Sequence, residues 1–189
     1  MTDTPLITVA GPGDRQRIVD SLVAAFPGDP VLRFLFPDDY PRQAAAFFGY
    51  LFDKRVGKGT VWTVDGVAAA IWEPPSGGDD PADGIDLPAD AGARMKEYDD
   101  AVHAALPEDP FWYLGVLGTR PEAAGRGWGK ALMAAGLRRA AEDGLPAYLE
   151  TSKPANVDFY RRAGWEVAAE FDAPLHTWVM RQRPAAPAS

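Results

Sequence analysis

Cysteine is absent from this chain of 189 residues. That excludes disulfides, thiolate metal ligands and any covalent cysteine mechanism. Imidazole is scarce: His103 and His176 are the only histidines. A histidine-rich metal site is therefore excluded, and no metal is expected. There is no apolar run of the roughly 18–20 residues that a membrane helix requires, so no membrane partner is expected. The opening MTDTPLITVAGPGDRQR carries Asp3 and Asp14 and has no basic segment followed by an apolar one. It does not read as a signal peptide, and a cytoplasmic location is expected. Basic residues are in the minority, 19 against 27 acidic, for a net charge of −8. A nucleic-acid partner usually meets a basic face, so none is expected. An acidic surface can steer a cationic ligand, although the same charge also serves simple solubility.

The length suits one domain with one core. We read 1–183 as that domain and 184–189 as a disordered tail. No internal repeat is present. The segment 74–90, dense in Pro, Gly and Asp, reads as a long loop, functional or disordered. The remainder alternates between helical and strand patterns. Ile18, Leu22 and Phe26 recur at helical spacing in Arg15–Phe26, with Asp14 as candidate cap. Arg42–Val56 and Ala91–Ala105 read as helices. Thr60–Val64 and Val67–Trp72 read as strands joined by Asp65-Gly66, a pair suited to a hairpin turn with positive φ at both positions. Phe111–Gly118 reads as a strand. Trp128–Asp143 reads as a helix closed by Gly144 and Pro146. Ala147–Thr151 follows as a strand and Asn156–Arg162 as a short helix ending at Gly164. Trp165–Phe171 and Thr177–Arg181 are the last strands. Hairpins at both ends of the sheet predict an α/β (α+β) domain: a mixed sheet with helices on both faces.

The chemistry-bearing stretch is Leu114–Lys130, LGVLGTRPEAAGRGWGK. A strand ends, a proline turn follows, and Gly125, Gly127 and Gly129 open a helix. Glycines let a ligand approach the backbone closely. The first helical amides lack intrahelical partners, and the helix dipole adds partial positive charge there. A pyrophosphate suits such a place, with Arg126 and Lys130 adding charge. Two nucleotide motifs fail on inspection. A Walker loop needs Ser or Thr after Gly129-Lys130, where Ala131 stands, and Gly at position 124, which is Ala. A dinucleotide fingerprint needs Gly three residues after Gly129, where Leu132 stands. A glycine-rich helix start without a ligand remains open from this turn alone.

The string Ala124-Gly-Arg-Gly-Trp-Gly129 resembles the pyrophosphate loop of the GCN5-related N-acetyltransferase (GNAT) superfamily, Gln/Arg-x-x-Gly-x-Gly/Ala. Gly127 and Gly129 match; Ala124 departs from the usual Gln or Arg. Asn156-Val-Asp-Phe-Tyr160 followed by Gly164-Trp165 resembles the superfamily's Asn…Phe-Tyr…Gly-Phe signature. Lys54-Arg55-Val56-Gly57, Leu149-Glu-Thr-Ser152 and Thr177-Trp-Val-Met180 extend the likeness toward antibiotic-modifying members. The likeness leaves out 74–110, where an acceptor would be recognised.

The resemblance implies a mostly antiparallel central sheet with a splayed strand at an acetyl-CoA site. It implies transfer of acetyl from acetyl-CoA to an amine in a ternary complex, without an acyl-enzyme. It places Leu117, Gly118 and Thr119 at the acetyl group and pantetheine arm. Gly125, Arg126, Gly127, Trp128, Gly129 and Lys130 fall at the pyrophosphate, and Asn156 at the pantetheine or CoA. Tyr160 falls beside the sulfur, where a phenol can donate a proton to the departing thiolate. As structural alternatives, Asn156 is a helix N-cap and Tyr160 a packing residue.

The amine must also lose a proton. Glu150 shares a strand face with Tyr148 and Ser152 and is the first candidate base; the alternative is a buried structural ion pair. Glu73 is the second candidate and His176 the third. Of six tryptophans, most should be core. Trp72, Glu73 and Tyr113 are candidate acceptor-binding residues, and Phe34-Leu-Phe36-Pro37 is a candidate cover for the same pocket. The expected acceptor is a small-molecule amine, an antibiotic or aminonucleoside among the candidates, and the expected assembly is a monomer or homodimer. Competing readings are acetylation of a protein N-terminus or lysine, and a non-catalytic acetyl-CoA-binding module.

Overall fold

The computed structural model describes residues 4–75 and 84–184. Most of the 74–90 loop's central stretch and the tail beyond 184 lie outside the described residues. Seven strands form one sheet in the order β1-β2-β3-β4-β5-β7-β6. They are β1 (Thr8–Val9), β2 (Val61–Val64), β3 (Ala68–Glu73), β4 (Trp112–Thr119), β5 (Ala147–Thr151), β6 (Glu166–Phe171) and β7 (Thr177–Gln182). All neighbours run antiparallel except β4 and β5. Among the described residues six α-helices flank the sheet: α1 (Arg15–Ala25), α2 (Pro30–Leu35), α3 (Tyr40–Val56), α4 (Ala89–Ala105), α5 (Trp128–Glu142) and α6 (Pro154–Arg162).

Each face has its own apolar core. On one side Ile18 and Leu22 of α1, Leu32 and Leu35 of α2, Phe48 and Phe52 of α3 and Met95 and Tyr98 of α4 pack on Ile71 and Val116. On the other, Leu132 and Met133 of α5 and Val157 and Tyr160 of α6 pack on Trp72, Trp112, Leu114 and Leu149. The hairpin turn has the expected positive φ at both Asp65 and Gly66. Gly144 and Gly164 likewise end α5 and α6 with positive φ.

Three local expectations differ. Helix α2 was not legible as a helix, although Asp29-Pro30 is a cap-and-first-turn signature: the Asp29 carboxylate accepts from the amides of Val31 and Leu32. Asp14 makes no side-chain cap on α1; its Oδ2 instead accepts from the Gly11 amide, closing the preceding turn. Helix α6 starts at Pro154 with Lys153 as its cap, so Asn156 sits inside the first turn and is not the cap. Among the described residues no helix is long and apolar enough to cross a membrane.

Candidate active site

The site begins with a parting of strands. β4 and β5 are paired only at Trp112–Ala147 and Tyr113–Tyr148. Beyond these residues β4 continues to pair with β3 as far as Thr119, and β5 with β7 as far as Thr151. The facing edges of β4 and β5 therefore lose their sheet partners, and backbone groups there are open to a ligand. A bulge accompanies the parting. Ile71 faces Val116 and Trp72 faces Leu114, so Gly115 has no opposite residue. The bulge inverts the alternation along β4. Leu114 belongs to the α5 side before it and Val116 to the α1–α4 side after it.

A pocket of about 850 Å³, open mouth included, occupies this gap. Leu114–Leu117 of β4 and Glu150–Ser152 of β5 form its middle. Asn156 and Tyr160 of α6, with Phe26, Asp29, Leu35, Phe48, Tyr98 and Asp99, complete its lining.

Glu150 points into the pocket with Oε2 sealed from solvent and without a hydrogen-bond partner. Burial, then the negative charges of Asp99 and Asp29, push its carboxyl up to about 8. Among the described residues no ion pair holds it. Tyr160 is 9% exposed and lines the same pocket, its ring edge-on to Phe159 and Trp165. Burial, then the Glu150 charge, raises its hydroxyl above the ordinary tyrosine value, so it stays protonated. Asn156 lies between pocket and helix, its Nδ2 donating to Thr151 Oγ1 at 3.1 Å.

The glycine turn lies beside the same gap. Gly125 and Gly127 have φ of 80° and 78°, in the left-handed region that favours glycine. Gly127 is the residue before α5, with no side-chain cap at its amides. Leu117 of the pocket lies 4.0 Å from where a side chain on Gly129 would begin, so the turn abuts the pocket's β4 wall. Arg126 and Lys130 are exposed at this end, with the Arg126 guanidinium 5.1 Å from the Trp128 ring. Free amides, glycines and two cations fit a diphosphate-bearing ligand. Gly118 is different: it is buried, and a side chain there would meet Phe26 at 2.7 Å and Leu22 at 2.9 Å. Thr119 ends β4, half-buried.

The three residues read from sequence as acceptor-binding do not line the pocket. Trp72 is fully buried on the α5 side, its indole lying directly under Gly136. Glu73 is paired with the buried Arg55 at 2.8 Å. Tyr113 sits opposite Glu73 in the register and packs on Phe111. His176 lies in the β6–β7 hairpin, held between Glu170 and Asp172 and against Trp178, away from the pocket. From the Phe34–Pro37 run and the helix before it, Leu35 reaches the pocket while Phe36 is core. The pocket adds Asp29, Tyr98 and Asp99, which the sequence did not single out. Asp29 was accessible through its Asp-Pro signature. Tyr98 was accessible as part of the Ala91–Met95–Tyr98–Val102 stripe of α4.

Comparison with known proteins follows the same geometry. Residues 91–165 match the family model described as "Acetyltransferase (GNAT) family". An acetyltransferase related to histone acetyltransferase HPA2 from Corynebacterium glutamicum has a similar structure. The TM-score is 0.69 with 24% identity, over 99% of this chain and 100% of that one. The Drosophila melanogaster polyamine N-acetyltransferase, which catalyses formation of N-acetylagmatine, gives 0.68 with 19% identity, over 94% and 98%. An agmatine N-acetyltransferase gives 0.71 with 19% identity, over 96% and 100%. Residues 91–165 are thus similar to the GNAT acetyltransferase family model, and the chain shares its fold with these structures along nearly its whole length.

Proposed function

We propose that this protein transfers an acetyl group from acetyl-CoA to a primary amine of a small molecule, by direct attack in a ternary complex. The carrying observation is the gap between β4 and β5, where Leu117, Glu150 and Tyr160 line one pocket next to the glycine turn.

In this reading the Gly125–Lys130 turn holds the pyrophosphate, with Arg126, Trp128 and Lys130 at its rim. Asn156 contacts the pantetheine chain. The free edge of β4 from Leu117 through Gly118 to Thr119 receives the thioester, and its amides polarise the carbonyl. The amine enters from the side of α1–α4. Glu150 accepts its proton, directly or through one water; a carboxyl raised to about 8 suits a base working near neutral pH. The amine nitrogen then attacks the carbonyl carbon and the carbon–sulfur bond breaks. Tyr160 donates its proton to the departing thiolate and regains one from the acetylated nitrogen, directly or through water. Glu73 is unsuited to the role of base because Arg55 already holds its carboxylate.

A recessed pocket between β4 and β5 favours a small acceptor over a protein chain. Two structural neighbours are named as acetylating polyamine and agmatine, which agrees with a small amine. The segments Phe52–Trp72, Phe111–Gly129 and Leu145–Tyr160 also resemble puromycin N-acetyltransferase, so aminonucleosides belong among the candidates. The test is a panel of amines offered with acetyl-CoA, reading thiol release and product mass. Release driven by one or more small primary amines is expected. Release with histone peptides alone would favour protein acetylation. Acetyl-CoA binding in calorimetry with no acceptor-driven release would favour a binding module.

A further inference from the structure

Three carboxylates line the pocket, from Asp29, Asp99 and Glu150, and among the described lining residues there is no lysine, arginine or histidine. Asp29 already has work to do: its Oδ1 accepts from the Val31 and Leu32 amides at 2.9 and 3.1 Å and caps α2. The other two are different. Glu150 Oε2 is buried and unpartnered. No described residue donates a hydrogen bond to the Asp99 carboxylate. His103, one turn along α4, lies 2.9 Å from its backbone carbonyl, and its charge draws the Asp99 carboxyl down. Asp100 and Glu73 add further negative charge near Asp99. The charge of Asp99 is also the largest one acting on Glu150. A second polar group is aimed into the same space: Tyr98, 4% exposed, lines the pocket with its hydroxyl unpartnered. That hydroxyl lies beside the Ser152–Thr177 hydroxyl pair, which favours its ionised form while burial and the Glu150 charge oppose it more strongly.

Glu150 and Asp99 repel one another, no lysine, arginine or histidine is among the described residues lining the pocket, and positive charge supplied from outside relieves both. One ammonium can approach Glu150 deep in the pocket. Asp99, solvent-exposed at the mouth on α4, is left for another. Phe26, Leu35, Phe47, Phe48 and Met95 add apolar lining, which matches methylene groups between the two charges.

We infer that the acceptor carries two cationic groups: the primary amine acetylated between Glu150 and Tyr160, and a second ammonium or guanidinium bound by Asp99. The class is a short aliphatic diamine or guanidino-amine. The inference rests on the acetyltransferase reading for the fate of the first amine. Asp99 is a positioning residue: it holds the far end of the acceptor and touches no reacting atom.

The test compares 1,4-diaminobutane with 1-aminobutane, two probes of equal chain length that differ by one charge, at 150 mM salt. Binding to the CoA-saturated protein is read by calorimetry, and transfer with acetyl-CoA is read as kcat/KM. A charge-assisted contact predicts a preference of about 10- to 100-fold for the diamine. Asp99→Asn should collapse that preference, chiefly through KM, and Asp99→Glu should retain part of it. Equal binding of the two amines by the parent protein would overturn the inference, whatever the variants do. So would an Asp99→Asn protein that weakens both amines alike and keeps the preference. A calorimetric preference with no acetyl transfer to either amine would support the two-cation site and overturn the enzyme reading, so the two failures are told apart.

Discussion

The two faces of the sheet are built from similar materials and finished differently. On the α5 side the packing closes. Trp72 is fully buried beneath Gly136, and Trp112, Leu132, Met133 and Leu149 are each 2% exposed or less. On the α1–α4 side the aromatic core around Phe48 and Phe52 is equally dry, yet it stops short of β5. There it leaves a pocket containing a buried unpartnered carboxylate and a buried unpartnered phenol. Unsatisfied buried polar groups cost about 1–3 kcal/mol each. Trp72 Nε1 also lacks a partner, but it is closed in beneath Gly136, whereas the groups on the other face line a pocket where a ligand can reach them.

The largest expected effect lies on the open face and concerns chemistry alone. Tyr160→Phe keeps the ring and its edge contacts with Phe159 and Trp165 but removes the proton donor. Turnover on a good acceptor should fall roughly 10²- to 10⁴-fold, with acetyl-CoA affinity and melting temperature nearly unchanged. Unchanged single-turnover rates would remove Tyr160 from the reaction.

The closed face should respond in the opposite sense. Alanine is a better helix former than glycine by about 1 kcal/mol, yet any side chain at Gly136 runs into the Trp72 indole. Gly136→Ala should therefore destabilise the protein by about 1–3 kcal/mol, read by urea unfolding. The loss should spread to activity only through the folded fraction. A variant as stable as the parent would show that this face yields more easily than its packing implies.

Glu150→Gln sharpens the comparison through pH. The carboxyl titrates near 8 in the folded protein and near 4.5 in the unfolded chain. The folded state therefore holds an extra proton between those values, and stability falls as pH rises through that window. The glutamine variant lacks this loss. Its melting temperature should match the parent near pH 4 and exceed it by on the order of 5 °C above pH 8. Asp99 of α4 and Asp29 before α2 are the charges that face Glu150, and both favour its protonated form. The parent's kcat/KM should rise through about pH 8 as Glu150 loses its proton, and the variant should lack that limb. A melting temperature lower in the variant at every pH would make Glu150 a structural residue.

Local chemistry carried much of the architecture. The Asp65-Gly66 hairpin, the helix closures at Gly144 and Gly164 and the glycine opening of α5 are decided within a few residues by backbone sterics. Periodic stripes such as Ala91–Met95–Tyr98–Val102 marked which side of a helix would be buried. The residues of the pocket were less legible because a strand's alternation states which residues share a face, not which face is open. Trp72 and Glu73 are adjacent on β3 at the expected end of the sheet. One went under α5, and the other was taken by Arg55 from α3. Asp99 gave no local signal at all; among the many acidic residues of the chain it looks like solubility charge.

The sequence by itself determined the order of strands and helices, the conformation of the glycine turn and the identity of the groups able to bind or transfer protons, since these follow from backbone freedom and side-chain chemistry. Only the tertiary structure decided that Tyr98 and Asp99 of α4 would meet Glu150 and Tyr160, much further along the chain on β5 and α6, in one pocket. The physical reason is the parting of β4 from β5 after two residue pairs. It is a long-range outcome of how α1–α4 and α5–α6 pack on opposite faces, and no single segment encodes it.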